Sequence, residues 1–376
     1  MKSYKSFIKE AKETFPVNQG HAYEFVLAAA MVARFTDRYD GGEPMDLTPK
    51  SVMKVMTEYY RGNRHWNVSE GDEEIDYVEF DGGGLPKAVH DAFSQDKIRK
   101  HPVTKKMLES AIKAVNKNRT LMKLSLDVIT NHKSDEIEVR CGGTTGQMKT
   151  KSDVDVYVND REVRKAGISI KYGGTQQGGQ FAGRDAVKNL IDGFNSFGMD
   201  VSRMVSPVEK AMKNIVGRYV VPGGGRPDKN DPVVISDKNI MFPAVMSAFR
   251  SISNKYTSKE LKKSKIIKAM MKGLRKANFG EEDDVQVVRG EITYDNKTFE
   301  GFGKYISDAA LEGNSEFKLE KGSTPVLGLY ANGNKMFQLR FRYDADPVDR
   351  QKSAYKVRFR LYVENGLFLD KLATEI

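Results

Sequence analysis

A short run of alternating acidic and apolar residues carries the clearest chemical signal in the sequence. Residues 152–158 read SDVDVYV, and alternate residues of a β-strand lie on opposite faces of its sheet. Asp153, Asp155 and Tyr157 therefore share one face, while the valines between them form an apolar face toward a core. Carboxylates are the ligands that Mg²⁺ prefers. The segment predicts a site for an oxygen-preferring cation.

A strand containing a lysine follows one short turn later. Residues 168–172 read ISIKY, which places Ser169 and Lys171 on one face. If a hairpin through residues 159–162 pairs the two strands, two carboxylates and an ammonium converge at one sheet edge. Phosphodiester hydrolysis adds negative charge to an anionic group, which a metal ion neutralises, while a lysine can orient the attacking water. Together the segments predict a metal-dependent phosphodiesterase.

These segments resemble the PD-(D/E)xK nuclease superfamily, which includes restriction endonucleases, recombination nucleases and phage nucleases. The resemblance implies an acidic residue in a helix, matched by Glu24 in the apolar segment 22–35. It implies a metal-binding aspartate, for which Asp153 is the first candidate and Asp155 the second. It also implies an acid-x-Lys strand, and here Ser169-Ile170-Lys171 departs from the pattern. Another carboxylate would have to replace the missing acid.

The roles that the resemblance implies are those of an endonuclease that hydrolyses DNA with Mg²⁺, or with Mn²⁺ as the alternative ion. Asp153 would be the principal metal ligand, and Asp155 and Glu24 auxiliary ligands. Lys171 would position the attacking water. Ser169 would line the site and hydrogen-bond a metal-bound water.

Basic and apolar residues alternate in two C-terminal segments, 337–343 and 355–362. If the two strands were neighbours, their arginines would form a ladder of cations. Like charges destabilise a sheet unless an anion covers them, which favours a surface facing nucleic acid. A solvated basic face is the alternative interpretation. The DNA-binding candidates are Arg340, Arg342, Arg358 and Arg360, to which the resemblance adds Gln177 and Gln180 in a glutamine-bearing segment after the lysine strand.

Composition limits the other possibilities. The chain has 376 residues, 39% of them hydrophobic, and its formal net charge of +10 favours polyanionic partners. Its single cysteine, Cys141, and its scattered histidines argue against an internal disulfide and against zinc. The charged N-terminus and the lack of a membrane-length apolar stretch predict a cytoplasmic protein without a membrane partner. The style of the sequence is similar to proteins of large tailed phages, for which the location would be the host cytoplasm.

The distribution of patterns predicts an α/β (α+β) fold with a restriction-endonuclease-like mixed sheet flanked by helices. Helices are expected in the N-terminal part and strands in the C-terminal part. We expect three consecutive parts: a mainly helical 1–130 that contributes the Glu24 helix, a nuclease-like core at 131–260, and a basic helix with antiparallel strands at 261–376. An amphipathic helix is also expected at 4–15, and a loop or small hairpin at 63–86.

Two other classes of function remain open from the sequence. The first is a catalytically silent, nuclease-like DNA-binding or virion-associated protein, in which the change to Ser169 has removed activity. The second is a structural protein with a merely basic surface, in which the alternating acids are solvated. A homodimer is a possible assembly, since restriction-like enzymes often cut both strands as dimers.

Overall fold

The protein, seen here in a computed structural model, divides into two compact units. The structure describes residues 15–36, 46–70, 73–131, 135–142, 153–163, 168–170, 176–221, 230–279, 286–289, 291–294, 296–349, 354–365 and 372. The first unit comprises Met1–Tyr172 with Phe279–Thr293, and the second comprises Gly173–Asn278 with Tyr294–Ile376. The chain therefore leaves the first unit, returns to it for a short segment and leaves it again.

The helices of the first unit surround one that is buried along most of its length. That helix, α1, has a buried side chain at every position from Ala22 to Phe35, which confirms the apolar helix expected at 22–35. A capping box between Thr48 and Ser51 begins the next helix. The expected helix at 4–15 lies outside the described residues except for Phe15. The described helices are α1 (Gln19–Thr36), α2 (Pro49–Tyr59), α3 (Lys87–Phe93), α4 (Asp96–Arg99), α5 (Pro102–Lys117) and α6 (Arg119–Asn131).

A mixed sheet packs against α1. Its order is β1-β2-β3-β4-β6-β9-β10, with β5 paired to β4. The pairs β2–β3 and β6–β9 are parallel, and β3, β4 and β6 form an antiparallel meander. The mixed sheet flanked by helices was expected. Its strands are β1 (His65–Glu70), β2 (Glu73–Asp81), β3 (Ile137–Cys141), β4 (Val154–Val158), β5 (Arg161–Glu162), β6 (Ile168–Ile170), β9 (Gln286–Arg289) and β10 (Ile292–Tyr294).

The turn after β4 produces the hairpin expected at 159–162. Asn159 and Asp160 have positive φ angles of 48° and 60°, the conformation of a tight two-residue hairpin turn. Asparagine and aspartate tolerate that conformation better than other non-glycine residues do. The register then pairs Val154 with Ile168, so β4 and β6 are neighbours as predicted.

The second unit is built on a sheet with the order β11-β12-β13-β14-β7, with β8 also paired to β14. Helix α7 packs against β7 and β14, and α9 packs against β11 and β12. The strands are β7 (Gln176–Gly183), β8 (Arg218–Val220), β11 (Ser315–Leu319), β12 (Val326–Ala331), β13 (Asn334–Asp349) and β14 (Ala354–Asn365). The helices are α7 (Ala186–Asn195), α8 (Ser206–Met212), α9 (Pro232–Lys255), α10 (Ser258–Leu261), α11 (Ser264–Phe279) and α12 (Asn296–Leu311).

This organisation confirms a mixed α+β protein with a helical N-terminal part and a strand-rich C-terminal part. The division into units differs from the three consecutive parts expected at 1–130, 131–260 and 261–376, because β9 returns to pair in parallel with β6. A parallel pair needs a long crossover, and here the crossover contains much of the second unit. Residues 63–86 contain a hairpin, β1–β2, as one of the two expectations for that segment. No helix in the described part of the chain is long and apolar enough to cross a membrane.

Candidate functional site

Asp153 lies immediately before β4 and is held by both neighbouring strands. Its backbone N–H donates to the carbonyl of Ile168 at 2.8 Å, and its own carbonyl accepts from the N–H of Gly142 at 2.9 Å. The hydroxyl of Ser169 donates to Asp153 Oδ2 at 3.2 Å. Both side chains are buried, at 7% and 1% exposure. The hairpin therefore brings Asp153 and Ser169 together on one face.

The alternation predicted for β4 is present in the structure. Val154, Val156 and Val158 are buried in the core, whereas Asp155 and Tyr157 are only half-buried on the other face. Burial raises the pKa of Tyr157, and the negative charge of Asp155 raises it further. The charge of Asp155 therefore acts on Tyr157, its neighbour on the same face of the strand.

Glu24 enters the same region from helix α1. Its carboxylate is 6% exposed, and its Oε1 lies 3.3 Å from His21 Nδ1, one helical turn earlier. A carboxylate is costly to bury unless positive charge or hydrogen bonds accompany it. A buried glutamate in an otherwise apolar helix is therefore a candidate for function.

Cys141, at the end of β3, lies within electrostatic range of these carboxylates. Burial raises the pKa of its thiol well above the usual value, and the negative charges of Glu24, Asp81, Asp155 and Asp153 each raise it further, in that order. Four acids, from α1, the end of β2 and the start of β4, therefore lie close enough to one buried thiol to act on it electrostatically. We call these four residues the acidic cluster.

Asp81 is the member that the sequence patterns missed. It is the last residue of β2, where it lies opposite Arg140 of β3, and its Oδ1 accepts from the N–H of Gly83 at 2.7 Å. The available signal was an acid directly after the apolar Phe80 and directly before three glycines. A loop or small hairpin at 63–86 does not by itself predict the parallel pairing of β2 with β3, which is what brings Asp81 beside Arg140.

The turn after Asp81 approaches the backbone of β3 closely. A Cβ atom on Gly84 would lie 2.0 Å from the carbonyl oxygen of Cys141 and 2.8 Å from that of Gly142. His90 reinforces the turn, since its Nε2 lies 3.0 Å from the carbonyl oxygen of Gly82. Only glycine fits at position 84 without displacing the strand end next to Asp153.

Gly84→Ala is expected to destabilise the first unit by about 2 kcal/mol, because the added methyl group would force backbone atoms apart. Urea unfolding followed by the fluorescence of Trp66 measures the effect in this unit. Gly20→Ala is the matched control: its Cβ would meet only the side-chain oxygen of Asn18, at 3.0 Å, and alanine favours a helix. Equal stability of the two variants would contradict the close approach.

The carboxylate oxygens of the acidic cluster are the kind of ligand that Mg²⁺ prefers. Among the described residues, no three His, Cys, Asp or Glu side chains are grouped closely enough to hold an ion alone. Mg²⁺ commonly takes only one or two protein carboxylates and completes its shell with water and substrate phosphate. Asp153 and Asp155 on one strand face satisfy that smaller requirement, with Glu24 and Asp81 adding negative charge nearby.

Two predicted residues cannot be placed. Lys171 lies outside the described residues, since the described part of that strand ends at Ile170. Gln177 belongs to strand β7, but its side chain is not among those that the structure describes. Gln180 is exposed and pairs with Tyr362 across β7 and β14.

In the second unit, β13 and β14 are neighbours, as the ladder of cations required. Arg342 lies directly opposite Arg360, and Arg340 lies opposite Tyr362. The intervening apolar side chains of both strands are buried. We call the arginine-bearing face, with Arg340, Arg342, Arg358 and Arg360, the basic sheet face.

Acidic residues that the sequence interpretation did not include offset part of this charge. Arg340 Nη2 lies 3.2 Å from a carboxylate oxygen of Glu364, and Arg360 Nε lies 3.3 Å from one of Asp344. The guanidinium of Arg342 instead lies over the ring of Tyr362, 5.3 Å from its centre. The ladder is therefore a mixed surface, in which Arg340 and Arg360 have carboxylates beside them.

Three cationic side chains lie close together near the N-terminal end of β14. Lys356 lies opposite Arg218 in the register of β14 and β8. The charges of Arg184 and then of Arg218 lower the pKa of Lys356. An anion bound beside these three residues would relieve their repulsion.

No protein-family model matches the sequence, and no similar curated protein or solved structure was found.

Proposed function

We propose that the protein is a Mg²⁺-dependent endonuclease that hydrolyses phosphodiester bonds of DNA. The observation that carries the proposal is the buried Asp153, whose carboxylate is held by Ser169 at the start of an acid-bearing strand. The buried Glu24, together with Asp81 and Asp155, adds negative charge nearby. Grouping carboxylates in a partly buried region is unfavourable without a cation, so such a group suggests a metal site. The resemblance to PD-(D/E)xK nucleases adds a helix acid, an aspartate strand and a lysine strand in the expected chain order.

The roles follow from the positions of the side chains. Asp153 would be the principal ligand, with Asp155 and Glu24 as auxiliary ligands. Ser169 fixes the Asp153 carboxylate through its hydrogen bond. When bound, Mg²⁺ supplies neutralisation of phosphate charge and a lower pKa for an attacking water. Lys171 would orient that water, as the resemblance implies.

The basic sheet face would bind the phosphate backbone of DNA. Arg358 lies beside the crowded cations of β14, and Arg342 is exposed. Contacts of this kind are independent of DNA sequence and weaken steeply with salt. A homodimer would give a second site for the second strand of a duplex.

One observation favours a second candidate, a nuclease-like DNA-binding protein without activity. Ser169 stands where the resemblance places an acid, and its hydroxyl donates to Asp153 instead of supplying a second negative oxygen. Such a protein would bind DNA through the same arginines without cleaving it.

Plasmid cleavage separates the two candidates. Supercoiled plasmid is incubated with purified protein in Mg²⁺, in Mn²⁺ and in EDTA, and the loss of supercoiled DNA is followed on a gel. The endonuclease predicts cleavage that requires the metal and is lost in Lys171→Ala. Salt-sensitive binding without cleavage would support the silent protein, and cleavage that persists unchanged in EDTA would contradict the metal site.

Ser169→Asp tests the metal site through stability. The new carboxylate would face Asp153, so repulsion is expected to lower the melting temperature in EDTA by about 5 °C. Millimolar Mg²⁺ should recover most of that loss, because the cation would be shared by both acids. Ser169→Asn introduces a side chain of the same shape as aspartate but without its charge, so its melting temperature should show no such recovery in Mg²⁺. If Ser169→Asp also fails to respond to Mg²⁺, no cation is held beside Asp153.

A further inference from the structure

A cavity of about 760 Å³ lies in the second unit, at the point where β12 begins. Val326, the first residue of β12, lies opposite Arg340, so β13 continues past β12 without that neighbour. The loop 321–324 and side chains of α9, including Lys238 and Phe242, complete the lining. The volume is too large for a single small ion and is typical of sites for small organic ligands.

The lining has an excess of positive charge. Lys238, Lys321, Arg340 and Arg342 face one acid, Asp344. Arg340 and Asp344 have ion-pair partners outside the lining, in Glu364 and Arg360 respectively.

The remaining cations of the lining are not neutralised in this way. Lys238, Lys321 and Arg342 form no ion pair with any described residue. Three such cations around one cavity favour an anionic ligand.

Two buried polar atoms of the lining residues also lack a partner. The hydroxyl of Tyr219 and Nε of Arg340 are shielded from solvent, and neither has a hydrogen-bond partner within the described ranges. Buried polar groups are nearly always hydrogen-bonded, and an exception calls for an unseen partner. A small rotation of these two side chains on binding would bring both donors within reach of the phosphate oxygens of a ligand.

Aromatic side chains give the cavity a second character. Phe242 is half-buried and meets Phe341 edge-on, with ring centres 6.5 Å apart. Tyr343 also contributes to the lining, and the bond from its hydroxyl to Asp237 at 2.7 Å fixes its ring. Aromatic faces of this kind bind the flat base of a nucleotide by stacking.

We propose that this cavity binds a nucleoside phosphate, either as a free nucleotide or as part of a DNA strand. The cations and the Tyr219 hydroxyl would hold the phosphate, and Phe242 would contact the base. The proposal goes beyond catalysis at the acidic cluster and needs no metal ion. Binding in EDTA therefore tests it separately from cleavage.

The test measures binding in EDTA by isothermal titration calorimetry and, for labelled DNA, by fluorescence anisotropy. The probes are inorganic phosphate, dAMP and a 5′-phosphorylated ten-nucleotide single strand. Arg342→Ala and Lys238→Ala remove unpaired cations, and each is expected to weaken nucleotide binding about tenfold. Lys262→Ala is the control, since it removes an exposed cation that does not line the cavity.

Tyr219→Phe is the most specific variant. It deletes only a hydroxyl that has no described partner, so the melting temperature should be unchanged or higher. Nucleotide affinity should nevertheless fall about tenfold, an effect that a merely structural tyrosine would not produce. Binding of dAMP identifies a free nucleotide as sufficient, whereas binding of the oligonucleotide alone identifies a DNA strand as the ligand.

Three results would overturn the proposal. The first is wild-type affinity in Tyr219→Phe and Arg342→Ala. The second is equal weakening in Lys262→Ala, which would indicate nonspecific attraction to positive charge. The third is binding of inorganic phosphate as tight as that of either nucleotide probe, which would remove the role of the base.

Discussion

Asp153→Asn is expected to reduce Mg²⁺-dependent DNA cleavage about a thousandfold while leaving the fold intact. Asparagine keeps the shape of the side chain and an oxygen that can accept the Ser169 hydrogen bond, so packing changes little. The negative charge that would hold the cation is lost. A metal ion contributes several kcal/mol of charge stabilisation in a phosphoryl transition state, which corresponds to roughly this factor.

Initial cleavage rates at several Mg²⁺ concentrations measure the effect. Asp160→Asn is the matched control, because it makes the same change at an exposed position of the turn that follows β4. Asparagine tolerates the positive φ of that position, so wild-type activity is expected there. Full activity in Asp153→Asn would exclude this aspartate as the principal ligand. Equal loss in both variants would point to an effect on the hairpin instead.

The local geometry around Asp153 was the most predictable part of the molecule. The period of two in residues 153–158 determined which side chains face the core, and Asn159-Asp160 supplied a turn that joins adjacent strands. The continuous apolar run in α1 likewise predicted a buried helix around Glu24. Each of these inferences depends on residues close together in the chain.

Pairing between distant segments was not predictable from such patterns. Asp81 joins the acidic cluster because β2 lies parallel to β3, although more than fifty residues separate the two strands. The return of β9 to β6 also depends on a pairing that no local period encodes. Strand order is determined by the whole core, so a single strand's alternation does not specify its neighbour.

The basic sheet face illustrates the same limit for charge. Alternation within each strand correctly assigned the arginines to one face, but the compensation by Glu364 and Asp344 depends on which residues lie across the strand pair. A shift of the register by two residues would keep every face assignment and change every ion pair. The net charge of such a surface therefore requires the register as well as the pattern.

Asp237 shows how a buried charge supports the second unit. The carboxylate is fully buried in α9 and accepts three hydrogen bonds. These come from the N–H of Val216 at 2.8 Å, the N–H of Gly217 at 3.1 Å and the hydroxyl of Tyr343 at 2.7 Å. Asp237 thus joins the helix to β13 and to the turn before β8.

Asp237→Ala is expected to destabilise the second unit by about 4 kcal/mol. The substitution removes the acceptor for three donors, and hydrogen bonds to charged groups contribute roughly 1.5–3 kcal/mol each before the partly exposed donors regain water. Urea unfolding monitored by far-UV circular dichroism measures the loss. The fluorescence of Trp66, the single tryptophan, reports on the first unit and serves as an internal reference.

Asp192→Ala provides the comparison for this prediction, because it removes a half-exposed carboxylate that forms an ion pair with Lys188 one helical turn away. Such pairs contribute about 0.3–0.5 kcal/mol, so this variant should remain close to wild type.

The stability of the second unit is also expected to fall at high pH. Burial, and then the bond to Asp237, raises the pKa of Tyr343 in the folded protein. The stability that its neutral hydroxyl provides is therefore complete below about pH 10, the pKa of an unfolded tyrosine, and declines above it. A loss in Asp237→Ala no larger than in Asp192→Ala would show that this carboxylate does not join these elements.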